Sequence, residues 1–457
     1  HEPHRDCGKG LAPVKGLYSA YAKLSDGLVE RSVEAKLLLL AALAGEHLFL
    51  LGSPGTAKSL LARRLSKVCE GSYFERLLTR FTVPEELFGP LSLHALEEDE
   101  LRRKTKGYLP ECDVAFIDEI FKANSSILNS LLVILNERRF DNGEQRLRVP
   151  LWCAVAASNE LPDSDELDAL YDRFLLRRHV SRISRRSVPD FLKMTLNREE
   201  VKSPNAGMNG TLLSIEDSWE LQQRAKEVDF PEELLVVIAD LREFLAEAEP
   251  RFEVSDRRLA RAVRLLRIAA AAAGGRSVVE ADLLLLRHMF WDRDPEQGQL
   301  VTEWLLRRLG DTGDGKKAWS FLLEGLQTRL RHGVRGPGLD AAKKDLRNLQ
   351  QAASRAMLRL AQIARDAPEP IREEGNEVDR FFWLSAAERR HVADLGEKCA
   401  EEAEKLRELL KEVSVLIQTV SGKDERERER LLARRLGIKH ASQETKAIRY
   451  DEWGDEI

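Results

Sequence analysis

The stretch that decides the fold is Gly52-Ser53-Pro54-Gly55-Thr56-Ala57-Lys58-Ser59, which follows the apolar run His47–Leu51 and opens a helical pattern over Ser59–Cys69. A strand, a tight turn and a helix in this order direct backbone N–H groups and the positive end of the helix dipole toward an anion. Lys58 supplies a mobile charge for the β- and γ-phosphates of a nucleotide, and the Ser59 hydroxyl can ligate Mg²⁺. The stretch predicts a nucleotide-binding loop, with a fortuitous glycine-rich turn as the alternative.

One position departs from the usual form of such a loop. Ala57 stands where a glycine usually precedes the lysine. Alanine is acceptable there if the helix has already begun and the residue has a negative φ. We therefore expect Ala57 to have helical backbone angles.

Two carboxylates follow a second apolar run. Asp118 and Glu119 come directly after Val114–Ile117. Because strand ends in a parallel sheet face the ligand crevice, we expect Asp118 to reach Mg²⁺ and Glu119 to orient and deprotonate the attacking water. A strand that simply enters a surface turn is the alternative.

Two more polar residues stand at the ends of later apolar runs. Asn159 follows Leu151–Ala157 and can hydrogen-bond the attacking water or the γ-phosphate, although asparagine is also favoured in turns. Arg173 precedes Phe174–Val180 and can meet the phosphate charge that develops in the transition state, with an unpaired surface arginine as the alternative.

The composition excludes several classes of protein. The chain has 457 residues, of which 43% are hydrophobic and 33% charged, with a net charge of -5, so it is neither disordered nor broadly attracted to nucleic acid. The longest apolar runs, such as Leu37–Ala44, are shorter than the roughly 20 residues that span a bilayer. Five cysteines without C-x-x-C spacing predict no disulfide framework and no metal site. We expect a cytoplasmic or soluble organellar location, with a targeting segment missing from this chain in the second case.

Short apolar runs alternate with helical patterns up to about Arg185, and beyond Arg186 only helical patterns remain. The first pattern is typical of an α/β unit with a mostly parallel sheet. Its candidate strands are His47–Leu51, Phe74–Phe81, Val114–Ile117, Leu151–Ala157 and Phe174–Val180. We predict a mobile N-terminus (1–15), an α/β nucleotide-binding domain (16–186), an all-helical domain (187–297), a helical extension (298–435) and a polar tail (436–457).

The extension contains two series of apolar residues at heptad spacing. They are Leu339, Ala342, Leu346, Leu349, Ala353, Ala356, Leu360 and Ile363, then Val392, Leu395, Cys399, Leu406, Leu409, Val413, Leu416 and Val420. The second series is interrupted at Glu402, where the neighbouring Ala403 can cover the gap. Because the Pro-containing stretch Asp366–Phe382 separates the two series, we predict an antiparallel helical hairpin, with a coiled coil between chains as the alternative.

Taken together, these residues resemble an AAA+ ATPase, and additional motifs resemble the MoxR family, in particular its RavA branch. The additional motifs are Gly27–Arg31, Phe81–Pro90, Gly107–Pro110, Asn136–Arg138 and Ala169–Phe174, and the resemblance covers roughly residues 17–295. It implies an α/β P-loop AAA+ core with a mostly parallel sheet flanked by helices, followed by an all-α lid and a long antiparallel helical arm. It also implies ATP and Mg²⁺ as cofactors.

The resemblance assigns roles to single residues. It implies Lys58 and Ser59 as Walker A, Asp118 and Glu119 as Walker B, Asn159 as sensor 1, Arg173 as arginine finger and Arg257 as sensor 2, with Arg258 as its rival. Gly27–Arg31 would flank the adenine, and in this family Ala57 is an ordinary variant. The expected nucleotide-binding residues are Gly52, Ser53, Pro54, Gly55, Thr56, Ala57, Lys58, Ser59, Leu60 and Asp118, and the expected Mg²⁺ ligands are Ser59 and Asp118.

Assembly and partners follow from the same resemblance. An arginine finger lies at a subunit boundary, so Arg173 would complete a neighbour's site in a ring, expected to be a hexamer. Members of the family commonly act with a von Willebrand factor A type partner and remodel or mature other protein complexes, so we expect such a partner and an unidentified client. The β-rich insertion of the RavA branch would be missing, since only Asp366–Phe382 separates the arm helices.

Two other functions stay open at this stage. A DNA or RNA motor of the related helicase type is favoured by the arginine-rich stretch Arg173–Arg186, although the acidic charge balance counts against it. A nucleotide-gated scaffold with incidental turnover is the other, and the complete carboxylate pair of Asp118 and Glu119 counts against it.

Overall fold

The computed structural model describes residues 12–69, 71–97, 99–197, 212–249, 252–310, 337–368 and 378–420. The chain divides into two compact units. The first contains His1–Leu306 and Ile371–Arg390, and the second contains Arg307–Pro370 and His391–Ile457. The predicted polar tail and most of the predicted mobile N-terminus lie outside the described residues.

A parallel sheet forms the centre of the first unit. Its strands are β1 (Leu48–Leu51), β2 (Tyr73–Leu77), β3 (Val114–Asp118), β6 (Cys153–Ser158) and β7 (Leu176–His179). They lie in the order β2-β3-β6-β1-β7, and every neighbouring pair is parallel. β1 and β6 are buried along their whole length, as continuous apolar runs predict for strands that are covered on both faces. The predicted parallel α/β core is confirmed.

Because all five strands run the same way, the sheet has one edge of carboxyl ends and one edge of amino ends. Leu51 pairs with Ser158 and with His179 at the first edge, whereas Leu48 pairs with Leu176 toward the second. At about 3.3 Å per residue, the two ends of β1 are about 10 Å apart. This separation decides which predicted site residues can meet within one chain.

Helices surround the sheet. They are α1 (Leu17–Ser25), α2 (Ser32–Ala44), α3 (Lys58–Val68), α4 (Pro84–Phe88), α5 (Leu93–Glu97), α6 (Ser125–Glu137), α7 (Asp165–Tyr171) and α8 (Val188–Asn197), with 3-10 turns at Leu109–Glu111 and Ile120–Lys122. Tyr171 and Phe174 pack on the ring of Phe49 and cover the side of the sheet on which Phe49 lies. This packing fixes the segment that leads into β7.

A β-hairpin between α6 and β6 was not predicted. Its strands are β4 (Arg139–Asn142) and β5 (Gln145–Arg148), and they form a separate antiparallel pair. The signal was present, because Asn142-Gly143 is a typical hairpin turn and Gly143 has a φ of +64°. The four arginines between positions 138 and 148 obscured it, since they leave too few apolar residues for a strand pattern.

The all-helical part of the first unit follows α8. It contains α9 (Ile215–Arg224), α10 (Glu232–Glu247), α11 (Asp256–Ala272) and α12 (Glu296–Gly310), with 3-10 turns at Ala225–Glu227 and Glu280–His288. In the 3-10 helix Glu280–His288, the four consecutive residues Leu283–Leu286 are all buried. None of the helices within the described ranges has the length and apolar character that a bilayer crossing demands.

The arm helices are α13 (Pro337–Asp366) and α14 (Ala386–Val420). Leu360 and Ile363 of α13 share a buried cluster with Cys399 and Ala403 of α14, so Ala403 covers the gap in the heptad series. A Cβ on Gly396 would lie 2.2 Å from the Cβ of Ala367, which places the end of α13 against the beginning of α14. The side chains of the outer heptad positions, Leu339 to Ala353 and Leu409 to Val420, lie outside the described residues.

The residues that lead into α14 belong to the first unit and make specific contacts within it, although the sequence suggested a plain connection. Trp383 donates its indole N–H to Ala269 O at 2.8 Å, and Lys36 donates to Leu384 O at 3.1 Å. Glu388, in the first turn of α14, forms an ion pair with Arg287 at 2.8 Å. The start of α14 is therefore anchored in the first unit.

Candidate nucleotide site

The predicted phosphate-binding loop joins β1 to α3 at the carboxyl edge of the sheet. Gly52 donates its N–H to Ser158 O at 2.9 Å, which ties the loop to the end of β6. A Cβ on Gly52 would lie 2.4 Å from Val180 O, so only glycine fits there. At Gly55 the φ is +77°, and a Cβ added there would meet no heavy atom within 4 Å, so the loop is open on the side where an anion would sit. The loop is fixed at its base and open at its tip.

Ala57 does not have the backbone conformation that we expected. Its φ is +68° and its ψ is 20°, so it lies in the left-handed region and α3 begins one residue later, at Lys58. This conformation brings Cβ close to a carbonyl oxygen, which costs an alanine about 1 kcal/mol relative to glycine. The prediction of a negative φ is wrong, and the loop tolerates a strained residue next to its lysine.

Lys58 is 7% exposed and points into the loop. Its Nζ donates to Gly52 O at 2.7 Å and to Ser53 O at 3.0 Å. Desolvation lowers the pKa of Lys58, while the nearby charges of Asp118 and Glu119 act in the opposite direction. The ammonium group therefore lies near the two carboxylates.

The two carboxylates lie at the carboxyl end of β3. Asp118 Oδ1 accepts the N–H of Glu119 at 3.1 Å, and Glu119 is held in the left-handed region, with a φ of +53°. The Glu119 carboxylate lies 3.3 Å from Lys122 Nζ and is 15% exposed. It also lines a cavity of about 220 Å³ together with Ser158. Asn159 is exposed directly after β6, on the same edge.

The oxygen donors of Ser59 and Asp118 suit Mg²⁺, which takes one or two protein ligands and completes its shell with water and phosphate oxygens. Ser59 occupies the first turn of α3 and is partly exposed. Within the described part of the chain, no group of three or more His, Cys, Asp or Glu side chains could hold a metal ion by itself. The donor set therefore fits a nucleotide-bound Mg²⁺ better than a metal held by the protein alone.

The segment predicted to flank the adenine packs on the loop. Arg31 is buried and donates from Nε to Thr56 O at 3.0 Å and from Nη2 to Ser181 O at 2.8 Å. Glu30 has a φ of +56° and accepts the N–H of Ser184 at 2.8 Å. Hydrogen bonds from Ser184 and Ser187 lower the pKa of the Glu30 carboxyl. Gly27–Arg31 is thus held against the phosphate-binding loop.

Arg173 lies at the opposite edge of the sheet. It precedes β7, whose amino end pairs with the amino end of β1, so the length of β1 separates Arg173 from the loop of its own chain. Arg173 Nε and Nη1 are buried and have no hydrogen-bond partner among the described residues. Such buried, unpaired donors cost free energy.

The other predicted arginine also lies at this edge. Arg257 is exposed in the first turn of α11, and its guanidinium contacts Asn136 Oδ1 at the end of α6. Its rival, Arg258, is buried and donates to Met289 O and to Asp172 Oδ1, both at 3.0 Å. Arg258 is therefore a structural residue that holds α11 next to Arg173.

Arg261 lies one turn further along α11, on the face that the sequence predicts to be solvated or to contact another subunit. It forms an ion pair with Glu46 and donates to Arg173 O at 2.9 Å. We call Arg173, Arg257, Arg258 and Arg261 the arginine edge. The phosphate-loop edge consists of Gly52 to Leu60, Asp118, Glu119 and Asn159.

The arginine-rich stretch Arg173–Arg186 is divided: Arg182, Arg185 and Arg186 are exposed, whereas Arg177 and Arg178 are engaged within the chain. Arg177 is 1% exposed, donates to Trp291 O at 2.7 Å and lies 3.5 Å from the centre of the Tyr171 ring. Burial lowers the pKa of Arg177 to about 10. Arg178 forms an ion pair with Glu34 at 2.9 Å. Within the feature that best supported a nucleic-acid motor, Arg177 and Arg178 are therefore structural residues.

Comparison with known families gives two matches. Residues 15–217 match the model of the MoxR domain in the MoxR-vWA-beta-propeller ternary systems. Residues 233–305 match the model of an AAA lid domain. The second match coincides with α10, α11 and α12.

Three relatives illustrate the similarity. Protein MJ0079 of Methanocaldococcus jannaschii, an uncharacterized protein, is 43% identical over 59% of this chain and 68% of its own length. The uncharacterized protein MJ0812 of the same organism is 41% identical over 60% of this chain and 71% of its own length. The chaperone MoxR1 of Mycobacterium tuberculosis is 27% identical over 44% of this chain and 50% of its own length.

Proposed function

Because the chain belongs to the MoxR family of AAA+ ATPases, we propose that it hydrolyses ATP to ADP and phosphate in a ring, at sites that two adjacent copies build together. One observation carries this proposal. The residues that suit nucleotide binding and water activation lie at the phosphate-loop edge, whereas Arg173 and Arg257 lie at the arginine edge of the same sheet. One chain therefore offers both halves of a site but cannot close it alone.

The phosphate-loop edge performs binding and water activation. The backbone of Gly52 to Ala57 and the dipole of α3 receive the phosphates, and Lys58 turns from its two loop carbonyls toward the β- and γ-phosphates. Ser59 and Asp118 would hold Mg²⁺, which neutralises phosphate charge when it is bound. Glu119, next to Asp118, is positioned to take a proton from the attacking water, and Asn159 orients that water.

The arginine edge completes the site of the neighbouring copy. Arg173 precedes β7 at this edge, and its guanidinium would meet the γ-phosphate of a neighbour, where negative charge develops in the transition state. Arg257, at the start of α11, is exposed on the same edge, so we propose that it also acts on the neighbour's nucleotide and not on its own.

The partner proposal rests on the matched family model, whose description includes a von Willebrand factor A protein and a β-propeller protein. One relative is named a chaperone, which supports the proposal that the energy of ATP hydrolysis is used to remodel a partner complex. We propose that a protein of the von Willebrand factor A type links the ring to its client and that the ring is a hexamer.

The decisive experiment measures ATP hydrolysis per subunit as a function of protein concentration. A composite site requires this specific activity to rise with concentration in parallel with ring formation, because an isolated chain lacks the arginine half. Mass photometry of the same samples gives the fraction of rings. Hydrolysis that is independent of concentration while the chain stays monomeric would contradict the composite site.

A trapping variant then tests the client. Glu119→Gln should bind ATP and hold the ring in the ATP state, because it lacks the base that activates water. Cross-linking followed by mass spectrometry should recover the client with Glu119→Gln and much less of it with Lys58→Ala. If both variants recover the same proteins, those proteins do not depend on the ATP state and the remodelling proposal fails.

A further inference from the structure

The hairpin of β4 and β5 has an arginine-rich outer face that the nucleotide site does not use. Arg139 is paired with Arg148, and Asp141 is paired with Arg146. Because side chains alternate along each strand, these four residues share one face of the hairpin. All four are exposed.

The inner face of the hairpin fixes its position. Phe140 is buried and stacks on Phe88, with 5.3 Å between the ring centres. Asn142 is also buried, and its side chain accepts the N–H of Arg103 at 2.6 Å and donates to Arg103 O at 3.1 Å. The outer face is therefore presented by a well-anchored hairpin.

The charges on the outer face are not balanced. Arg146 forms ion pairs with Glu137 at 2.9 Å and with Asp141 at 3.2 Å. Across the part of the chain that the structure describes, Arg139 and Arg148 have no carboxylate within ion-pair distance, and they lie directly opposite each other. Like charges at such positions destabilise an antiparallel pair, and an anionic partner would remove this cost.

The arginines line an open cleft. A cavity of about 680 Å³ is bounded by Glu137, Arg138, Arg139, Arg146 and Arg148. The guanidinium of Arg138 donates to Leu135 O and Gly45 O, so Arg139, Arg146 and Arg148 supply the charge of the cavity. We call this cavity the hairpin cleft. Its charge and its concave shape suit a group of carboxylates or another anion.

The position of the hairpin cleft indicates where such an anion comes from. The cleft begins directly after Asn136, which contacts Arg257 of the arginine edge. In a ring with composite sites, the arginine edge of one copy faces the phosphate-loop edge of the next. At that edge, directly after β6 and Asn159, the segment Glu160–Glu166 presents exposed carboxylates at Glu160, Asp163 and Glu166.

We propose that the hairpin cleft docks on the segment Glu160–Glu166 of the adjacent copy in the ring. Opposite charges stand on the two edges that must meet, and Glu160 and Asp163 line the same cavity as the water-activating Glu119. The contact therefore holds the neighbour's arginine edge against the site that it completes. This inference rests on the composite site of the proposed function.

Charge reversal tests the docking. Arg139→Glu/Arg148→Glu should raise the midpoint concentration of ring assembly at least about 30-fold, measured by mass photometry with ATPγS and Mg²⁺, because like charges then face each other across the interface. The matched control Lys15→Glu/Lys106→Glu changes the net charge equally at two exposed lysines away from the cleft, and it should assemble as the wild type does. Circular dichroism and nucleotide affinity show that each variant is folded.

A second reversal on the opposite edge identifies the partner. Glu160→Arg/Asp163→Arg alone should also impair assembly, and combining both reversals in one chain should restore it. Normal assembly of the hairpin variant, or no restoration in the combined chain, would overturn the docking. If the hairpin variant assembles normally but no longer binds a labelled single-stranded DNA, then the hairpin cleft binds nucleic acid and the docking proposal is wrong. If wild-type rings need the cleft for assembly but do not hydrolyse ATP, then the proposed function is wrong and the docking still holds.

Discussion

The two edges of the central sheet are built from different kinds of residue and hold their charges differently. At the phosphate-loop edge, Lys58 is buried but satisfied by two loop carbonyls, and two carboxylates lie near it. At the arginine edge, Arg258 and Arg261 are fully engaged by carboxylate and carbonyl oxygens, whereas Arg173 has buried nitrogens without a partner among the described residues. The first edge holds a lysine that its own loop satisfies, and the second holds buried guanidinium nitrogens that no described residue satisfies.

Replacing Arg173 gives the largest expected effect on this comparison. Arg173→Ala should lower kcat for ATP hydrolysis by about 10³-fold, the typical contribution of an arginine that stabilises phosphoryl transfer, with the Kd for ATP nearly unchanged. It should not lower the free energy of unfolding, because the side chain lost has unsatisfied buried nitrogens.

The matched control for this variant is Arg258→Ala on the same edge. It removes two hydrogen bonds and leaves Asp172 without its ion pair, so it should lower the free energy of unfolding by about 2 to 3 kcal/mol. If Arg173→Ala destabilises the protein as much as Arg258→Ala does, or weakens ATP binding as much as hydrolysis, then Arg173 is a structural or same-chain residue.

The second variant acts on the other edge. Lys58→Ala should weaken ATP binding by roughly 100-fold, because it removes a charge-assisted contact to phosphate worth about 3 kcal/mol. Titration calorimetry with ATP and Mg²⁺ measures the loss. The control Lys67→Ala changes a lysine in the last turn of the same helix, α3, and should leave the affinity as it is.

Mixing the two variants sharpens the comparison. Lys58→Ala chains keep an intact Arg173, and Arg173→Ala chains keep an intact phosphate-loop edge, so a mixed ring contains some sites with both halves intact. Equal amounts of the two inactive variants should therefore recover a measurable part of the wild-type activity. Recovery would not occur if both residues served the nucleotide of their own chain.

The sequence predicted the phosphate-loop edge better than the arginine edge, for a physical reason. Gly52–Ser59 and Asp118-Glu119 directly follow strands, and strand ends in a parallel sheet meet at one edge, so their proximity follows from the fold class. The choice between Arg257 and Arg258 depends on which side of α11 faces Asp172, and no local pattern states that. The hairpin of β4 and β5 was not predicted because it places arginines opposite each other, and like charges at such positions disfavour a pair of strands.

Two buried histidines, His47 and His288, make the stability of the protein depend on pH. Burial lowers the pKa of both His47 and His288 well below its usual value. The unfolded chain therefore takes up protons below about pH 6.5 while the folded chain does not, so stability falls as the pH decreases. For each of these histidines the expected slope averages about 0.8 kcal/mol per pH unit between pH 7 and pH 5.5 and approaches about 1.4 kcal/mol per pH unit at lower pH, measured by urea unfolding.

His47→Asn isolates one of the two contributions. In the wild type, His47 Nδ1 accepts the N–H of Ala154 at 3.0 Å. The side-chain oxygen of an asparagine at this position can accept the same N–H, and asparagine does not titrate. Between pH 7 and pH 5.5 the slope should therefore decrease by about 0.8 kcal/mol per pH unit, whatever the variant's stability at pH 7. The exposed residue His94 provides the control, since His94→Asn should leave the slope as it is. An unchanged slope in His47→Asn would show that this imidazole takes up its proton in the folded state.

The smallest expected effect concerns the strain in the loop. Ala57 and Glu119, both at the phosphate-loop edge, are non-glycine residues with positive φ angles. Ala57→Gly should raise the free energy of unfolding by about 1 kcal/mol, because glycine adopts this conformation without the clash of a Cβ atom. The exposed helical residue Ala22 is the matched control, since Ala22→Gly should lower the same quantity by about 0.5 to 1 kcal/mol. If the unfolding temperature shifts in the same direction for both variants, then Ala57 is not strained. The rate of ATP hydrolysis of Ala57→Gly, measured on the same samples, shows whether the strain contributes to turnover.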